Sequence, residues 1–297
     1  MRVFITGGSG HVGSAVTNEL IANGHQVTGL ARSDASAAKL EAAGAKVVRG
    51  ELGDLETLER GAREADGVIH CGFIHDFANY AAAAQVDRVA IETFGRALRG
   101  TDKPLLVTSG LAGLSKGGMP ATELSEVDPE LEGRLPRVSE KTALALAADG
   151  VNAGVVRLSP STHGDHDHGF IAGLIGIARD KGAAAYVGEG TNHWAAGHVL
   201  DAARVYRLAL EHAVPGRRYH VVGDAGVPFR GIAGVIGRKL GLPVKSVTPE
   251  EAPAHFGWMA AFAQLDAVAS GALTEQWLGF KPTQVGLLED MEHGTYF

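Results

Sequence analysis

The sequence contains a single cysteine, Cys71, among its 297 residues. One cysteine cannot form a disulfide within the chain, so an apolar core must hold the fold together. The composition supports such a core, because 45% of the residues are hydrophobic and 21% are charged. Low cysteine content is also typical of a reducing compartment, and we expect the protein in the cytoplasm.

Long apolar runs and basic regions are also missing from the sequence. No stretch approaches the ~20 apolar residues that a membrane helix needs, and we expect no signal peptide. The net charge of −7 disfavours nucleic acid and anionic membranes as partners, because both attract basic surfaces. These absences leave a small molecule as the expected ligand.

Short apolar runs alternate with helical patterns through the first half of the chain. This alternation is typical of βαβ units and predicts an α/β fold with a doubly wound parallel Rossmann sheet. Six strands are predicted, at Arg2–Thr6, Gln26–Ala31, Lys46–Val48, Val68–Cys71, Pro104–Ser109 and Ala153–Leu158.

A glycine-rich loop, residues 7–13, follows the first predicted strand directly and opens the first predicted helix. Glycine permits the tight turn, the close approach of a pyrophosphate and the packing of helix on strand. The helix N-terminus adds free N–H donors and a partial positive charge. The pattern predicts a dinucleotide phosphate site formed by Gly7, Gly10, His11, Val12 and Gly13.

The segment Thr6–Gly13 resembles the loop of extended short-chain dehydrogenases and NAD-dependent epimerases. Further matches follow in the family's order: Gly53-Asp54-Leu55 resembles its adenine-contacting Asp-Leu, and Val68-Ile69-His70 resembles its fourth strand. The segment Trp194–Ala203 resembles its His-Val-Asp-Asp region. The resemblance implies that Asp54, Leu55 and His70 lie at the cofactor.

Cofactor choice in such folds depends on the residues that follow the second strand. An acidic side chain there holds the ribose 2′-hydroxyl of NAD, whereas a cation accommodates the 2′-phosphate of NADP. The sequence reads Arg32-Ser33-Asp34 at this point. Arg32 and Ser33 predict NADPH as the cofactor. NADH, with Asp34 on the ribose, stays possible.

The regular alternation of short apolar runs with helical patterns ends after Pro160. We expect residues 1–160 to form the NADP(H)-binding core, with returns to the main sheet near 196–222, including Gly197–Leu200 and Tyr219–Val222. Residues 161–195 and 223–297 are predicted to form a smaller C-terminal substrate-binding lid, which is mostly helical from Gly223 onward.

The catalytic pair of the resembling family is missing from this sequence. That family uses Tyr-x-x-x-Lys on one helix face, but the matching segment here places Pro136 or Arg137 at the tyrosine. None of the five tyrosines has lysine four residues later. The chain therefore resembles an atypical branch. The candidate catalytic residues are Thr108, Ser109, His75 and His163, with Arg137 as a polarising cation.

Several residues on predicted loops are candidates for contact with a substrate: Tyr80, His163, Phe170, His193 and Trp194. The segment 163–168 alternates imidazoles with carboxylates, which are good metal ligands. Its place after the sixth strand favours a loop lining the substrate cleft, so we predict no metal site.

These observations favour an NADPH-dependent reductase of a small ketone, aldehyde or cyclic imine in an apolar cleft. A protonated imine would need no strong acid. One alternative is a non-catalytic NADP(H)-binding sensor or scaffold. Another is a nucleotide-sugar epimerase or dehydratase, which the missing tyrosine disfavours. Alanine-rich helices at about 80–98 and 137–149 allow close packing, so we expect a homodimer of the kind that relatives form.

Overall fold

The structure is a computed structural model that describes residues 1–76, 79–127 and 138–297. Its main feature is a seven-stranded parallel sheet in the order β10-β6-β5-β4-β1-β2-β3. The strands are β1 (Arg2–Thr6), β2 (Gln26–Ala31), β3 (Lys46–Arg49), β4 (Gly67–His70), β5 (Leu105–Gly110), β6 (Ala153–Leu158) and β10 (Arg218–Val221). The predicted doubly wound sheet is confirmed.

The chain starts at the centre of this sheet and then builds outward in both directions. Strand β1 pairs in parallel with β2 on one side and with β4 on the other. The strand order therefore reverses between β1 and β4, and ligands of open α/β sheets bind at the carboxyl ends of the strands at such a point. The crossover helices of this half are α1 (His11–Ala22), α2 (Asp34–Ala42), α3 (Leu55–Glu64), α4 (Tyr80–Leu98) and α5 (Val138–Ala148).

The chain divides into two compact units. The first comprises Met1–Ser109, Pro136–Arg157 and Ala202–Tyr219. Its core packs buried strand residues against apolar helix faces, and residues such as Phe4, Phe94 and Val107 are fully buried there.

The second unit comprises Gly110–Leu135, Leu158–Asp201 and His220–Phe297. It contains a three-stranded sheet in the order β11-β9-β7 and a two-stranded sheet of β12 and β8. These strands are β7 (Ser161–His163), β8 (Ala184–Val187), β9 (His193–His198), β11 (Asp224–Pro228) and β12 (Val244–Val247). The later helices are α6 (Phe170–Lys181), α7 (Val199–Glu211), α8 (Phe229–Leu240), α9 (Ala252–Phe256), α10 (Ala260–Ala263), α11 (Ala272–Leu278) and α12 (Leu287–His293).

One predicted return to the main sheet is wrong. Residues 197 and 198 end β9, which pairs with β7 and β11 rather than with the main sheet, and Val199 and Leu200 begin α7. Strand β10 does return to the main sheet. A short apolar run is compatible with any sheet, because its partner strand depends on contacts remote in sequence. Within the described ranges, no helix has the length and hydropathy required to cross a membrane.

Candidate cofactor and substrate sites

The loop after β1 is folded too tightly for side chains at its key positions. Gly7 has a left-handed φ of 68°, and its carbonyl oxygen accepts the Gly10 N–H at 3.0 Å. A Cβ on Gly13 would overlap the Gly7 carbonyl oxygen and lie 2.7 Å from the carbonyl carbon. A Cβ on Gly7 would lie 2.7 Å from backbone atoms of Cys71 and Gly72. The loop thus makes the close turn that a bound pyrophosphate requires.

Helix α1 begins at His11 and presents its amino end to this loop. Gly10 caps the helix in an extended conformation, and no side chain in the described part of the chain caps this end. The first turn has no acidic residue that would repel an anion. Its N–H groups, including those of Val12 and Gly13, have no partner within the helix. The residues present therefore fit the diphosphate of a dinucleotide.

The residues after β2 form the candidate site for the adenosine ribose. Arg32 is exposed and has no ion-pair or hydrogen-bond partner within the described residues. The Ser33 hydroxyl caps α2 by accepting the Ser36 N–H at 3.2 Å. Asp34 forms an ion pair with Arg49, with 2.6 Å between Oδ1 and Nη2. Arg32 is thus the unengaged charge at this position.

The predicted adenine-contacting residues lie at the start of α3. The Asp54 carboxylate caps this helix by accepting the Thr57 N–H at 3.2 Å. Hydrogen bonds from Thr57 lower the pKa of Asp54, which stays ionised at neutral pH. Leu55 is half-buried as the first residue of α3. Asp54 therefore has a structural role in ending the β3–α3 loop.

A buried polar chain begins at the carboxyl end of β4. His70 Nδ1 lies 2.7 Å from Thr6 Oγ1, and His70 Nε2 lies 2.9 Å from Asp87 Oδ1. The Ser139 hydroxyl donates to Asp87 Oδ2 at 2.6 Å, and Gly72 N–H donates to Thr6 Oγ1 at 3.1 Å. Both ring nitrogens of His70 are engaged inside the fold. Its side chain is therefore closed to the predicted cofactor contact, which only the backbone could make.

The end of β5 carries the two candidate hydroxyl groups. Thr108 Oγ1 donates to the His70 carbonyl oxygen at 2.8 Å and lies 2.7 Å from Tyr206 Oη. Because a hydroxyl has one proton, Tyr206 donates to Thr108 in this arrangement. The Thr108 proton is thus occupied. Ser109 is half-buried at the next position of β5.

The loop after β4 carries His75 and leads to Tyr80 at the start of α4. The Phe73 ring lies 5.4 Å from His75 and 5.9 Å from Tyr80, measured between ring centroids. Desolvation by neighbouring groups lowers the pKa of His75 below its ordinary value, against an opposing hydrogen bond to the Phe73 backbone. His75 is exposed and Tyr80 is half-buried. Both are therefore accessible to a ligand.

In the second unit, His163 belongs to a buried hydrogen-bonded cluster. Its side chain is 1% exposed, and its Nδ1 lies 2.8 Å from Asp290 Oδ2. The Tyr296 hydroxyl donates to Asp290 at 2.8 Å and accepts the Gly164 N–H at 2.9 Å. Although burial opposes it, hydrogen bonding to His163 and Tyr296 lowers the pKa of Asp290. The His163 ring is thus closed to a substrate in this structure.

The side chain of His198 also approaches this cluster. The ligating atoms of His163, His198 and Asp290 lie within 4.8 Å of one another, which would suit a metal ion. However, His198 Nδ1 accepts the Leu200 N–H at 3.1 Å, and His163 Nδ1 is paired with Asp290. These bonds engage Nδ1 of each imidazole ring and leave Nε2 as the remaining ligand atom of each.

The other predicted substrate contacts lie near an aromatic cluster of the second unit. Trp194 is fully buried, and its Nε1 donates to the Phe262 carbonyl oxygen at 3.2 Å, so it is a core residue here. Phe170 is half-buried, with its ring 4.7 Å from that of Phe262 and 5.9 Å from that of Trp258. His193 is half-exposed beside Asp266, at 3.6 Å. Phe170 and His193 retain exposed surface.

Comparison with known proteins extends these observations. Residues 7–127 match a family model described as NAD(P)H-binding. The chain is 46% identical over 298 residues to an uncharacterised protein of Schizosaccharomyces pombe, covering 100% of both chains. The structure matches a dTDP-glucose 4,6-dehydratase of Streptomyces venezuelae with a TM-score of 0.78 at 21% identity, covering 98% of this chain and 95% of that one. The chain thus contains an NAD(P)H-binding domain over residues 7–127, and its fold is that of NAD-dependent epimerases and dehydratases.

Another relative has a reductase name. It is the 4-hydroxy-2-methyl-3-oxo-4-farnesyl-3,4-dihydroquinoline-1-oxide ketoreductase of Stigmatella aurantiaca. The two chains are 27% identical over 282 residues, which cover 91% of this chain and 84% of the relative. Together with the cofactor loop, this similarity supports a nicotinamide-dependent oxidoreductase.

The sequence resemblance leaves two registers for the catalytic lysine of the resembling family: Glu140 stands there when Ser139-Glu140 is matched to Ser-Lys, and Lys141 stands there when the match follows the spacing. Glu140 is 3% exposed on α5 and pairs with the fully buried Arg157 of β6. Arg157 Nε donates to Glu140 Oε2 at 3.1 Å. The acid therefore neutralises a cation in the core rather than facing a ligand. Arg137, the predicted polarising cation, lies outside the described residues.

Sequence reasoning missed Arg49, Asp87 and Asp290, which pair with Asp34, His70 and His163 respectively. Arg49 had a usable signal, because it is a cation directly after the predicted third strand, Lys46–Val48. Asp87 and Asp290 had none, because they lie 17 and 127 residues from their partners in helices.

Proposed function

We propose that the protein is an NADPH-dependent reductase of a small apolar ketone or aldehyde, with cyclic imines as the second substrate class. The observation that carries this proposal is the open amino end of α1 at a loop where a Cβ on Gly13 would meet Gly7. The ketoreductase relative supports a carbonyl substrate. When bound, the nicotinamide supplies a hydride to the carbonyl carbon, and the carbonyl oxygen gains a proton.

Two features of the second unit support an apolar substrate. Trp258 is 53% exposed, and the half-buried Phe170 lies beside it. Ligand sites for small molecules are lined mostly by apolar and aromatic side chains, with few polar groups. Partly exposed aromatic rings of this kind would bind an apolar substrate and exclude water from it.

Turnover of a substrate panel tests the proposed function. The purified protein is incubated with NADPH and a range of ketones, aldehydes and cyclic imines, while the loss of NADPH absorbance is followed. We expect substrate-dependent oxidation of NADPH and the matching alcohol or amine by mass spectrometry. Flat traces across a broad panel, with NADPH shown to bind, would count against a reductase.

We predict that Arg32→Asp weakens NADPH binding by about 10- to 100-fold, because charged hydrogen bonds to the 2′-phosphate are lost and the new carboxylate repels it. NADH binding should change little or improve. The dissociation constants are measured by fluorescence titration. Arg179→Asp, at an exposed arginine on α6, is the charge-matched control. Equal losses for both cofactors would make Arg32 a structural residue.

We propose His75 as the proton donor, with Ser109 orienting the carbonyl oxygen. His75→Asn should lower kcat for ketones by about 100-fold, but much less for imines that bind already protonated. Because the pKa of His75 lies below its ordinary value, ketone reduction should rise as the pH falls toward that pKa. This rise should disappear in the variant. His212→Asn, at an exposed histidine after α7, is the control.

A different outcome of the same measurements would exclude His75 as the proton donor. If His75→Asn reduces ketones and imines at wild-type rates with an unchanged pH profile, His75 is not the donor. The same measurements on Ser109→Ala then separate a hydroxyl that orients the substrate from one without a role.

A second candidate function is a non-catalytic NADP(H)-dependent sensor or scaffold. Its support is the missing Tyr-x-x-x-Lys pair: in one register Glu140 takes the place of the lysine, and it is buried against Arg157. A sensor would bind NADPH without turnover and would associate with a partner protein only in one cofactor state. Robust turnover in the substrate panel would eliminate this candidate.

A further inference from the structure

The ends of β2 and β3 bring two arginines close together. The strands pair in parallel, with Ala31 opposite Arg49 in the register, and neighbouring strands lie about 4.8 Å apart. Arg32 follows Ala31 directly. The side chains of Arg32 and Arg49 therefore start from adjacent points at the carboxyl edge of the sheet. Arg49 is well exposed, with 54% of its side chain accessible.

Asp34 holds Arg49 beside the start of α2. The Arg49 Nη2 atom lies 2.6 Å from Asp34 Oδ1, and the Asp34 side chain is 99% exposed. Asp34 is the first residue of α2, directly after the capping residue Ser33. The pair therefore brings the Arg49 guanidinium to the same turn that carries Arg32. In the same pair, the Asp34 carboxylate is already engaged by the Arg49 guanidinium.

We propose that Arg49 is a second cation for the 2′-phosphate of NADPH, and that its ion pair with Asp34 withholds this carboxylate from the ribose 2′-hydroxyl of NADH. The inference rests on the nicotinamide cofactor of the proposed function. Arg49 and Arg32 together outweigh Asp34, so the turn carries a net positive charge that suits a phosphate dianion. Without Arg49 the same turn is electrically neutral, and Asp34 is free to accept the hydroxyl.

The exposure of the pair makes it suitable for substitution. Exposed ion pairs contribute little to folding stability, so variants of either residue should fold normally. A weak pair also lets Arg49 contact a phosphate while it stays near Asp34. Arginine can serve both groups, because its planar guanidinium has five N–H donors.

The test is a set of three variants: Arg49→Gln, Asp34→Asn and the double variant. Dissociation constants for NADPH and NADH are measured by fluorescence titration, and those for 2′-AMP and 5′-AMP by competition. Arg49→Gln should weaken NADPH and 2′-AMP about tenfold or more, while NADH binds more tightly. Asp34→Asn should keep the NADPH affinity. The double variant should bind NADPH as weakly as Arg49→Gln does, and its affinity for NADH should return to the wild-type value.

Other results would overturn the proposal. Arg49 has no role if Arg49→Gln leaves both cofactors unchanged while Arg32→Asp removes the preference for NADPH. The ion pair does not keep Asp34 from the ribose 2′-hydroxyl if Arg49→Gln binds NADH no more tightly than the wild type. The same conclusion follows if the double variant still binds NADH more tightly. If the wild-type chain binds neither nicotinamide cofactor, the proposed function fails together with this inference. Unchanged melting temperatures in all three variants establish that the differences arise from binding.

Discussion

Gly13→Ala is expected to weaken NADPH binding by about 100-fold or more. The new Cβ would overlap the carbonyl oxygen of Gly7 and lie 2.7 Å from its carbonyl carbon. Both are backbone atoms of the loop, so the clash cannot be relieved by rotating a side chain. The loop must move away from the amino end of α1, which removes the arrangement that holds the diphosphate. Fluorescence titration with NADPH measures the loss.

The control for this variant is Gly234→Ala on α8. A Cβ at Gly234 meets nothing within 4 Å, and alanine is favoured over glycine inside helices by up to ~1 kcal/mol. NADPH affinity should therefore stay at the wild-type value, and the melting temperature should stay equal or rise. If Gly13→Ala binds NADPH as well as Gly234→Ala does, the glycine loop is not the phosphate site.

Glu140→Ala is expected to lower the free energy of unfolding by about 3–5 kcal/mol. The substitution leaves the Arg157 guanidinium without its carboxylate in a fully buried position. Removing one partner of a buried ion pair costs more than the pair itself contributes, because the remaining charge loses its counter-charge without gaining solvent. Denaturant unfolding should show the loss, and the melting temperature should fall by about 10 °C.

Two comparisons separate charge from packing in this result. The double substitution Glu140→Leu with Arg157→Met removes both charges, and it should recover much of the lost stability. Glu92→Ala breaks the half-exposed pair of Arg88 and Glu92 on α4, where a loss of only about 0.5 kcal/mol is expected. If Glu140→Ala is as mild as Glu92→Ala, Arg157 does not depend on its carboxylate.

The elements with regular patterns were predictable from the sequence. The strands β1, β2 and β6 have the predicted residues, and the helices α4 and α5 lie at the predicted 80–98 and within the predicted 137–149. Local signals account for this success, because the period of apolar residues and the glycines after helices depend on neighbours in sequence. The turn of residues 7–10 between β1 and α1 was predictable for the same reason, because a strand, a glycine turn and a helix follow each other within 22 residues.

The second unit was much less predictable. The region after Gly223 was expected to be mostly helical, yet it also contains strands β11 and β12. Both strands are short, and each pairs with a strand about 30 or more residues earlier, β9 or β8. Strands of 4 or 5 residues are too short to show a clear alternation of apolar and polar residues. Their pairing also depends on packing that brings remote segments together.

The sequence by itself determined the doubly wound sheet, the glycine-rich loop after the first strand and the absence of a Tyr-x-x-x-Lys pair, because each depends on residues that are close along the chain. Only the tertiary structure decided which polar groups remain available to a ligand. It buried His163 against Asp290 and Glu140 against Arg157, and it left Arg32 unpaired within the described residues. Buried charges need partners, and those partners come from elements that meet only when the chain folds.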